Sequence, residues 1–385
     1  MKDYLDHLLA FEDAIREIRE IIITNIILVG QIPAPTFGEK RRAEFILERL
    51  SEMNVDECTS DSLGNPIGII RGSVRTKPPI FIVAHIDTPF DQDIVHDFFI
   101  NENSIIGPGV SDNSVGVGVL ISLPEILKRL NLTFQSDVVF AGTIQSLGKG
   151  NINGIRHLLN SWSVPIRGGI CLEGVNLGRL NYFSDGMIRG EIHCHVETDD
   201  ETEFTFKPNA IIVLNELINE ILSLRVPQKP RTRIIIGKIS GGVKHGKIAS
   251  DATIGFEIRS DSDKMVKDIY NDISDITEEL NSAYQVDMKL NIIGHQYANR
   301  LKYNHPLVKS TRSIIKQLGL KVFSEPSESE LSVFLSKNIP SVTIGVTKGD
   351  NFRQSNSKIE IEPIYKGIAQ VIGVLMAIDQ GVCDE

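Results

Sequence analysis

The sequence has few cysteines, and their spacing excludes the usual cysteine-based sites. The four are Cys58, Cys171, Cys194 and Cys383, and no CxxC spacing occurs among them. Secreted disulfide scaffolds are richer in cysteine, and cysteine-based zinc and redox motifs need closely spaced pairs. The pattern favours reduced, mostly structural thiols and predicts a cytoplasmic protein.

A long apolar segment and a cluster of basic residues are also missing. The N-terminus, MKDYLDHLL, is charged from its second residue, which is not the pattern of a signal peptide. The apolar run IIITNIILVG is about ten residues long, which is too short to span a bilayer. The net charge of −10 at pH 7 argues against nucleic acid or an anionic membrane, since either needs a basic surface. We therefore predict neither a membrane nor a nucleic-acid partner.

What the chain does have is the length and composition of a globular protein with two domains. Its 385 residues are 41% hydrophobic and 23% charged, which are ordinary values for a folded chain. Across 1–185 and 295–385, short apolar strands such as PIFIVAH and SDVVFAGT alternate with helical segments such as SVGVGVLISLPEILKRL. This alternation predicts an α/β domain whose mostly parallel sheet is covered by helices.

The pattern changes in the middle of the chain. From residue 186 to 294, strands of alternating apolar and polar residues, such as MIRGEIHCHVET, surround two amphipathic helices in the order β-α-β-β-α-β. That order is typical of a split-βαβ, or ferredoxin-like, α+β domain with one helical layer. The sequence therefore predicts a small domain, 186–294, inserted into a larger domain made of 1–185 and 295–385.

Four polar residues fall at strand ends or in a glycine-rich turn of the predicted α/β domain. His85 and Asp87 lie at the end of PIFIVAH and just beyond it, Asp112 lies in GPGVSDNSVG before a helix, and Glu173 ends GGICLE. Ligands of open α/β sheets bind at the carboxyl ends of strands. One imidazole and two carboxylates suit zinc or a similar divalent ion, with Asp87 spaced to orient the imidazole. Taken alone, each residue has an ordinary alternative, such as a helix cap for Asp112 or a solvated charge for Glu173.

Longer motifs along nearly the whole chain point the same way. They are IPAPTFGEKRRAEFILERL, HIDTP, GPGVSDNSVGVGVLI, GTIQSLGKGNINGIRHLL, LEGVNLGRL, FEIRS, HPLV and IPSVTIGV. With these motifs in this order, the chain resembles the co-catalytic zinc metallopeptidases of the aminoacylase, carboxypeptidase G and succinyl-diaminopimelate desuccinylase type. The resemblance implies a hydrolase of C–N amide bonds in peptides or N-acyl amino acids. It also implies that the inserted domain serves as a lid and often mediates dimers, so we expect a homodimer through 186–294.

The resemblance assigns roles to the four polar residues. His85, Asp112 and Glu173 match the ligands of the first metal, and Asp112 matches the carboxylate that bridges to a second metal. Asp87 matches the carboxylate that orients the histidine ligand. The resemblance therefore implies zinc or another divalent metal at His85, Asp112 and Glu173.

Other positions depart from the family's pattern. Ser146 falls where the family has its general-base glutamate, and Leu147 falls on the adjacent ligand of the second metal. Arg353 falls on the last histidine ligand, Asp200 on the histidine that polarises the substrate, and Gly246 on a neighbouring asparagine. Leucine cannot ligate a metal and serine is not a base near neutral pH. We therefore expect at most one metal per chain, and the sequence also leaves none as an alternative.

Arg353 leaves two interpretations open. Its fixed positive charge could pair with Asp112 and take the electrostatic place of the second metal, or it could point to solvent. Gln145 and Ser146 could still bind a carboxylate or an amide, and His193, His195 or His245 could supply a missing imidazole. The ordinary alternatives for these histidines are a polar strand face and a surface loop.

Three functions follow from these residues. The favoured one is a degenerate homologue, weakly active or a binding-only pseudoenzyme, which binds a small peptide or an acylated amino acid. The second is an active metallopeptidase or amidohydrolase that uses a one-metal or otherwise altered mechanism. The third is a purely structural dimer with neither ligand nor metal.

Overall fold

The computed structural model describes residues 3–53, 55–197 and 208–384, so the predicted substrate-polarising position, Asp200, lies outside the described residues. The helices of the described part are α1 (Asp3–Arg16), α2 (Arg19–Gly30), α3 (Lys40–Glu52), α4 (Val115–Arg129), α5 (Asn153–Ser161), α6 (Ala210–Ser223), α7 (Asp263–Tyr284), α8 (Pro306–Gln317), α9 (Leu331–Ser336) and α10 (Glu362–Asp379). Two short helical turns, Val110–Ser114 and Gly148–Gly150, precede α4 and α5.

The strands of the described part are β1 (Glu57–Ser60), β2 (Pro66–Ile70), β3 (Ile80–His85), β4 (Phe99–Ile100), β5 (Ser104–Ile106), β6 (Val138–Thr143), β7 (Gly168–Val175), β8 (Leu180–Asn181), β9 (Phe183–Ser184), β10 (Gly186–His195), β11 (Thr232–Gly241), β12 (Asp251–Ser260), β13 (Asp287–Gln296), β14 (Asn299–Arg300), β15 (Ser341–Thr347), β16 (Gly349–Asp350) and β17 (Lys358–Glu360).

The chain divides into two compact units. Unit 1 comprises Met1–Phe183 and Arg300–Glu385, and unit 2 is Ser184–Asn299. The domain boundaries predicted from the sequence were 185/186 and 294/295, so the two divisions differ by a few residues at each crossing. The role of the smaller unit as a lid or dimerisation domain stays a prediction.

Unit 1 is built on a seven-stranded sheet with the order β1-β2-β6-β3-β7-β15-β8. The four central strands run parallel, whereas β1, β2 and β8 add antiparallel edges. Side chains alternate between the faces, so Ile80 and Ile82 pack with α4 and α10, while Phe81 and Val83 pack with α5 and α9. The predicted α/β class is confirmed, with the parallel pairing confined to the centre of the sheet.

A smaller sheet in unit 1 has the order β16-β17-β5-β4 and was not foreseen from the sequence. Its pairs are antiparallel, and the loop from Asn351 to Ser357 joins β16 to β17. These strands have only two or three residues each, which is too short for a periodic pattern. This sheet matters because its loop carries Arg353.

Unit 2 is an antiparallel sheet, β11-β12-β10-β13, with α6 and α7 packed on one face. The chain order β-α-β-β-α-β is the one predicted. Asn209 and Ser262 begin the two helices, and each side chain accepts a hydrogen bond from a backbone N–H of the first turn. The apolar stripe of α7 faces the sheet through Val266, Ile269 and Ile273. Local sequence patterns therefore explain the architecture of this unit.

One helical stretch in the described residues, Val110–Arg129, is long and apolar enough to cross a membrane by composition alone. Its most apolar window is 94% buried inside the protein. That degree of burial is the behaviour of a core helix, and α4 indeed packs against the central strands of the unit 1 sheet.

Candidate metal centre

Three predicted ligands come together at the carboxyl edge of the unit 1 sheet. His85 ends β3, Glu173 lies in the neighbouring parallel strand β7, and Asp112 lies in the helical turn that precedes α4. One ligand atom from each residue lies within 4.8 Å of the others. His85 Nε2 is 3.2 Å from Asp112 Oδ1, and the His85 and Asp112 side chains are almost fully buried. One imidazole nitrogen and two carboxylates form a donor set that fits zinc or a similar divalent ion.

Asp87 holds the other side of the His85 ring. The Oδ1 atom of Asp87 is 3.4 Å from His85 Nδ1, and its backbone carbonyl oxygen is 3.1 Å from the same nitrogen. Its second oxygen, Oδ2, accepts hydrogen bonds from Thr36 Oγ1 at 2.8 Å and from the backbone N–H groups of Ser146 and Leu147 at 3.0 and 2.8 Å. The imidazole is thereby oriented with Nε2 toward Asp112, the arrangement that a histidine ligand needs.

Arg353 contacts the opposite oxygen of Asp112. Its Nε donates to Asp112 Oδ2 at 3.0 Å, although 54% of the Arg353 side chain stays exposed. The loop that carries it is tied to the Asp112 turn, because Ser357 Oγ hydrogen bonds to Ser111 Oγ. Pairing with Asp112 was one of the two expectations for Arg353, and the contact is present. Its role as a substitute for a second metal stays a prediction.

Neighbouring charges set the protonation of this cluster. Burial alone lowers the pKa of His85, but the Asp112 and Asp87 carboxylates outweigh it and hold that pKa well above its ordinary value. Burial also raises the pKa of Asp112, yet His85 and Arg353 reverse the effect and leave it lowered. For Glu173, burial dominates and the pKa is raised, despite the opposing positive charges of His85 and Arg179. The carboxylates of Asp87 and Asp112, on the two sides of the ring, therefore favour the protonated form of His85.

Sequence reasoning missed Glu330, a glutamate with only 2% of its surface exposed. Its Oε1 accepts hydrogen bonds from Ser146 Oγ at 2.7 Å and from Thr143 Oγ1 at 3.1 Å. It is also close enough to His85 and Glu173 to raise the pKa of each. The only sequence signal was a charge directly before the apolar segment LSVFL, which is too common to single out a site.

Arg179 is a second residue that the sequence reasoning did not single out. Its Nη1 is 4.0 Å from Glu173 Oε2, and its Nη2 is 3.0 Å from Glu325 Oε1. The side chain is mostly buried. Arg179 therefore adds a positive charge beside Glu173, six residues after it in the chain.

The remaining candidates have their described surroundings within their own units. The Gln145 side chain accepts from Asn153 Nδ2 at 2.8 Å, and its backbone N–H donates to Glu39. His193 and His195 lie half-exposed on β10 of unit 2, where both approach Asp251 Oδ1. His245 and Gly246 lie in an exposed loop of the same unit. A polar strand face and a surface loop, the ordinary alternatives for these histidines, describe their surroundings in unit 2.

Comparison with known proteins supports the same family. The model of peptidase family M20/M25/M40 matches residues 81–377. Over 120 residues the chain is 29% identical to the Escherichia coli protein YgeY, a match that spans 30% of this chain and 29% of that protein, less than a third of its length. The family match covers more than half of the chain, so the chain belongs to this peptidase family.

Solved structures of similar fold cover almost the whole chain at low identity. The di-peptidase Dug1p of Saccharomyces cerevisiae superposes with a TM-score of 0.78 at 13% identity, covering 99% of this chain and 100% of that one. The YXEP protein of Bacillus subtilis, described as a dinuclear metal-binding peptidase, gives 0.65 at 13% identity, with 94% and 98% covered. At such identities the likeness shows the fold.

Proposed function

We propose that this member of peptidase family M20/M25/M40 is a degenerate one. It binds a small peptide or an N-acyl amino acid beside a single divalent metal ion, and it hydrolyses the amide bond only slowly. His85, Asp112 and Glu173 would hold the ion, which we expect to be zinc, and Asp87 would orient His85. Bound there, the ion would polarise a carbonyl group and lower the pKa of a water molecule.

The observation that carries this proposal is the contact between Arg353 and Asp112. The guanidinium occupies Asp112 Oδ2, the oxygen that would otherwise be free for a second cation. With Arg353 Nε 3.0 Å from that oxygen, its fixed positive charge repels a dication that would bind there. The nearby Leu147 offers the site a backbone N–H to Asp87 and no ligand atom from its side chain. The donor set therefore fits one metal and does not fit two.

The charges around His85 also support a single cation. Around His85, Asp87, Asp112 and Glu173, carboxylates outnumber guanidinium groups by five to three. The groups are Glu39, Asp87, Asp112, Glu173 and Glu330 against Arg42, Arg179 and Arg353. When the carboxylates are ionised, the surplus is two negative charges, which one divalent ion would neutralise. Buried charge without such compensation is costly, so metal binding would stabilise the fold.

The slow rate follows from the turn after β6. Ser146 cannot accept a proton as a carboxylate does, and removal of a general base typically costs on the order of 10²–10⁴ in rate. The same turn still orients the site, because its two amides hold Asp87. Binding is therefore retained better than hydrolysis. The ligand class rests on the family and on the structural similarity to a protein named as a di-peptidase.

Metal analysis of the purified full-length chain tests the proposal. We expect about one zinc per chain after dialysis against zinc, and none above background in His85→Ala. The matched control is His157→Ala, because the His157 ring hydrogen bonds to Ser62 Oγ, which is not part of the cluster. Two zinc ions per chain in the native protein would overturn the one-metal site. Absence of both zinc and ligand binding in calorimetry would overturn the proposed function as a whole.

We also propose that the protein is a homodimer through unit 2 and works in the cytoplasm. The unit 2 sheet exposes Ile235, Ile239 and Ile292, and exposed apolar surface of this kind is typical of interaction sites. The four cysteines are free thiols, as expected in a reducing compartment. Light scattering on the native chain and on Ile239→Lys would test the dimer, which the charged variant should weaken.

A further inference from the structure

Glu330 is a buried carboxylate without a cation. In the part of the chain that the structure describes, no Lys, Arg or His nitrogen lies within salt-bridge distance of it, and its two hydrogen-bond donors are the neutral hydroxyls of Ser146 and Thr143. Buried charges in proteins are normally paired with a cation or bound to a metal. A carboxylate held in this way close to a candidate active site indicates a functional role.

The position of Glu330 follows from the face of the sheet on which it lies. Phe81 and Val83 of β3 pack on the α9 side, and His85 continues the same alternating row to the carboxyl end of the strand. In β6, which is paired with β3, Thr143 lies opposite His85. Glu330 directly precedes α9 and makes no capping bond to that helix. Its carboxylate instead lies next to this row of side chains, where it accepts hydrogen bonds from Thr143 and Ser146.

The other carboxylates of the site are already engaged. Asp87 orients His85 and accepts three hydrogen bonds. Asp112 lies between His85 and Arg353, and Glu173 completes the proposed set of metal ligands. Amide hydrolysis needs a group that takes a proton from the attacking water. Among the described residues near this edge, the buried carboxylates Glu330 and Glu39 have neither a salt-bridge partner nor a place among the proposed ligands. Glu39 accepts a hydrogen bond from the backbone N–H of Gln145, whereas Glu330 accepts one from the Ser146 hydroxyl, which can pass on a proton.

We propose that Glu330, acting through Ser146 Oγ, is the proton acceptor in the slow amide hydrolysis. The water oxygen bonds to the carbonyl carbon while a water proton passes to Ser146 Oγ and the serine proton passes to Glu330. The carbon–nitrogen bond then breaks as the proton returns by the same route to the leaving nitrogen, which yields a carboxylic acid and an amine. The inference rests on the proposed function, since it describes how that hydrolysis proceeds.

The geometry also accounts for a serine at position 146. Glu330 Oε1 lies 2.7 Å from Ser146 Oγ. In a glutamate at position 146, Cγ would take the place of the serine Oγ, and the carboxylate oxygens of that glutamate would lie at a similar distance from it. A glutamate at 146 would bring two carboxylates into one buried space, and such a pair cannot be ionised together without a large cost. The small hydroxyl at 146 and the carboxylate at 330 are therefore compatible with each other.

Hydrolysis by the zinc-loaded, full-length chain tests this role. A panel of dipeptides and N-acetyl amino acids is followed with enzyme in excess, so that a slow turnover is visible. We expect Glu330→Gln and Ser146→Ala each to lower the rate on the order of 10²–10⁴-fold, and the double variant to be no slower than either. Glu330→Asp keeps the carboxylate and should recover part of the rate. Glu48→Gln is the matched control, because Glu48 is exposed on α3 and should leave the rate unchanged.

Three further measurements separate a proton relay from a structural effect. Glu330→Gln should still bind about one zinc ion and should melt no lower than the native chain, because the substitution keeps the shape of the side chain and removes a buried charge that has no cation. In mixtures of light and heavy water, a plot of the native rate against the deuterium fraction should be curved, as expected when two protons move together. The residual rate of Glu330→Gln should lose that curvature. A native rate that depends linearly on the deuterium fraction would contradict the relay.

The outcomes distinguish this inference from the proposed function. Full activity of Glu330→Gln would overturn the inference, whatever Ser146→Ala does, and full activity of Ser146→Ala would overturn the relay through its hydroxyl. If the native chain binds zinc and a panel ligand but hydrolyses nothing, the relay is wrong and the binding function survives. If it binds neither zinc nor ligand, the proposed function itself fails.

Discussion

The two halves of the candidate site differ in what their residues contribute. In one half, His85, Asp112 and Glu173 contribute side-chain donor atoms that lie within 4.8 Å of one another. In the other half, Ser146 and Leu147 contribute backbone N–H groups to Asp87, and Arg353 contributes a cation. A backbone amide does not depend on the side chain attached to it. The turn after β6 can therefore lose carboxylates and still hold the first half in place.

The largest expected effect comes from introducing metal-binding side chains at Leu147 and Arg353, where the family has ligands of a second metal. The double variant Leu147→Glu/Arg353→His would supply a carboxylate and an imidazole and remove the repelling guanidinium. We expect it to bind a second zinc ion where the native chain binds one, measured by metal analysis and by zinc titration.

One double variant without strong ligands and one single variant control that experiment. Leu147→Gln/Arg353→Gln removes the same side chains without adding strong ligands, so its zinc content should stay near one. Arg353→His alone should also stay near one, because Leu147 still offers no ligand atom. A second zinc ion in the Leu147→Gln/Arg353→Gln control would mean that removal of the positive charge, and not the supply of ligands, allows a second metal to bind.

The next largest effect is the dependence of zinc affinity on pH. His85 must lose its proton to bind a metal, and its pKa in the metal-free site is raised by Asp112 and Asp87. Zinc affinity should therefore rise about tenfold per pH unit while pH is below the raised pKa of His85, and level off once pH passes it. Titration calorimetry at several pH values measures this slope, and a flat profile would show that His85 is not a ligand.

The same shift predicts how the metal-free fold responds to pH. Because the pKa of His85 is raised on folding, its contribution to stability is complete below the unfolded pKa and is lost as pH rises through the folded value. Thermal unfolding of the metal-free chain should therefore shift to lower temperature over that interval. The zinc-loaded chain should not show this loss.

The smallest expected effect is that of removing the guanidinium alone. Arg353→Gln should raise zinc affinity by less than about tenfold, because the charge that repels the ion is half-exposed and screened by solvent. The free energy of unfolding should change by about 1 kcal/mol or less for the same reason. Arg353→Lys keeps the charge and should bind zinc as the native chain does. Lower zinc affinity in Arg353→Gln would contradict the view that Arg353 competes with a metal.

Local patterns predicted much of the fold, and their limits are instructive. The stripe of Val266, Ile269 and Ile273 identified α7 because a helix repeats its apolar positions every three to four residues. The apolar runs ending at His85 and Thr143 likewise identified two parallel strands. The two- and three-residue strands around Arg353 carry no such repeat and were not foreseen. Pattern reasoning therefore located His85 at the end of β3 and Glu173 near the end of β7, two residues before Val175, but it did not find the sheet that positions Arg353.

The sequence by itself determined which residues end the strands of the large sheet, since strand length and alternation are local properties of the chain. It thereby indicated that His85 and Glu173 share an edge, together with Asp112 in the adjoining turn. Only the tertiary structure decided which side chains meet across that edge. Glu330 reaches Ser146 across 184 positions of sequence, and Arg353 reaches Asp112 across 241. Contacts over such separations depend on how loops return to the sheet, and loop paths leave no periodic signal in the sequence.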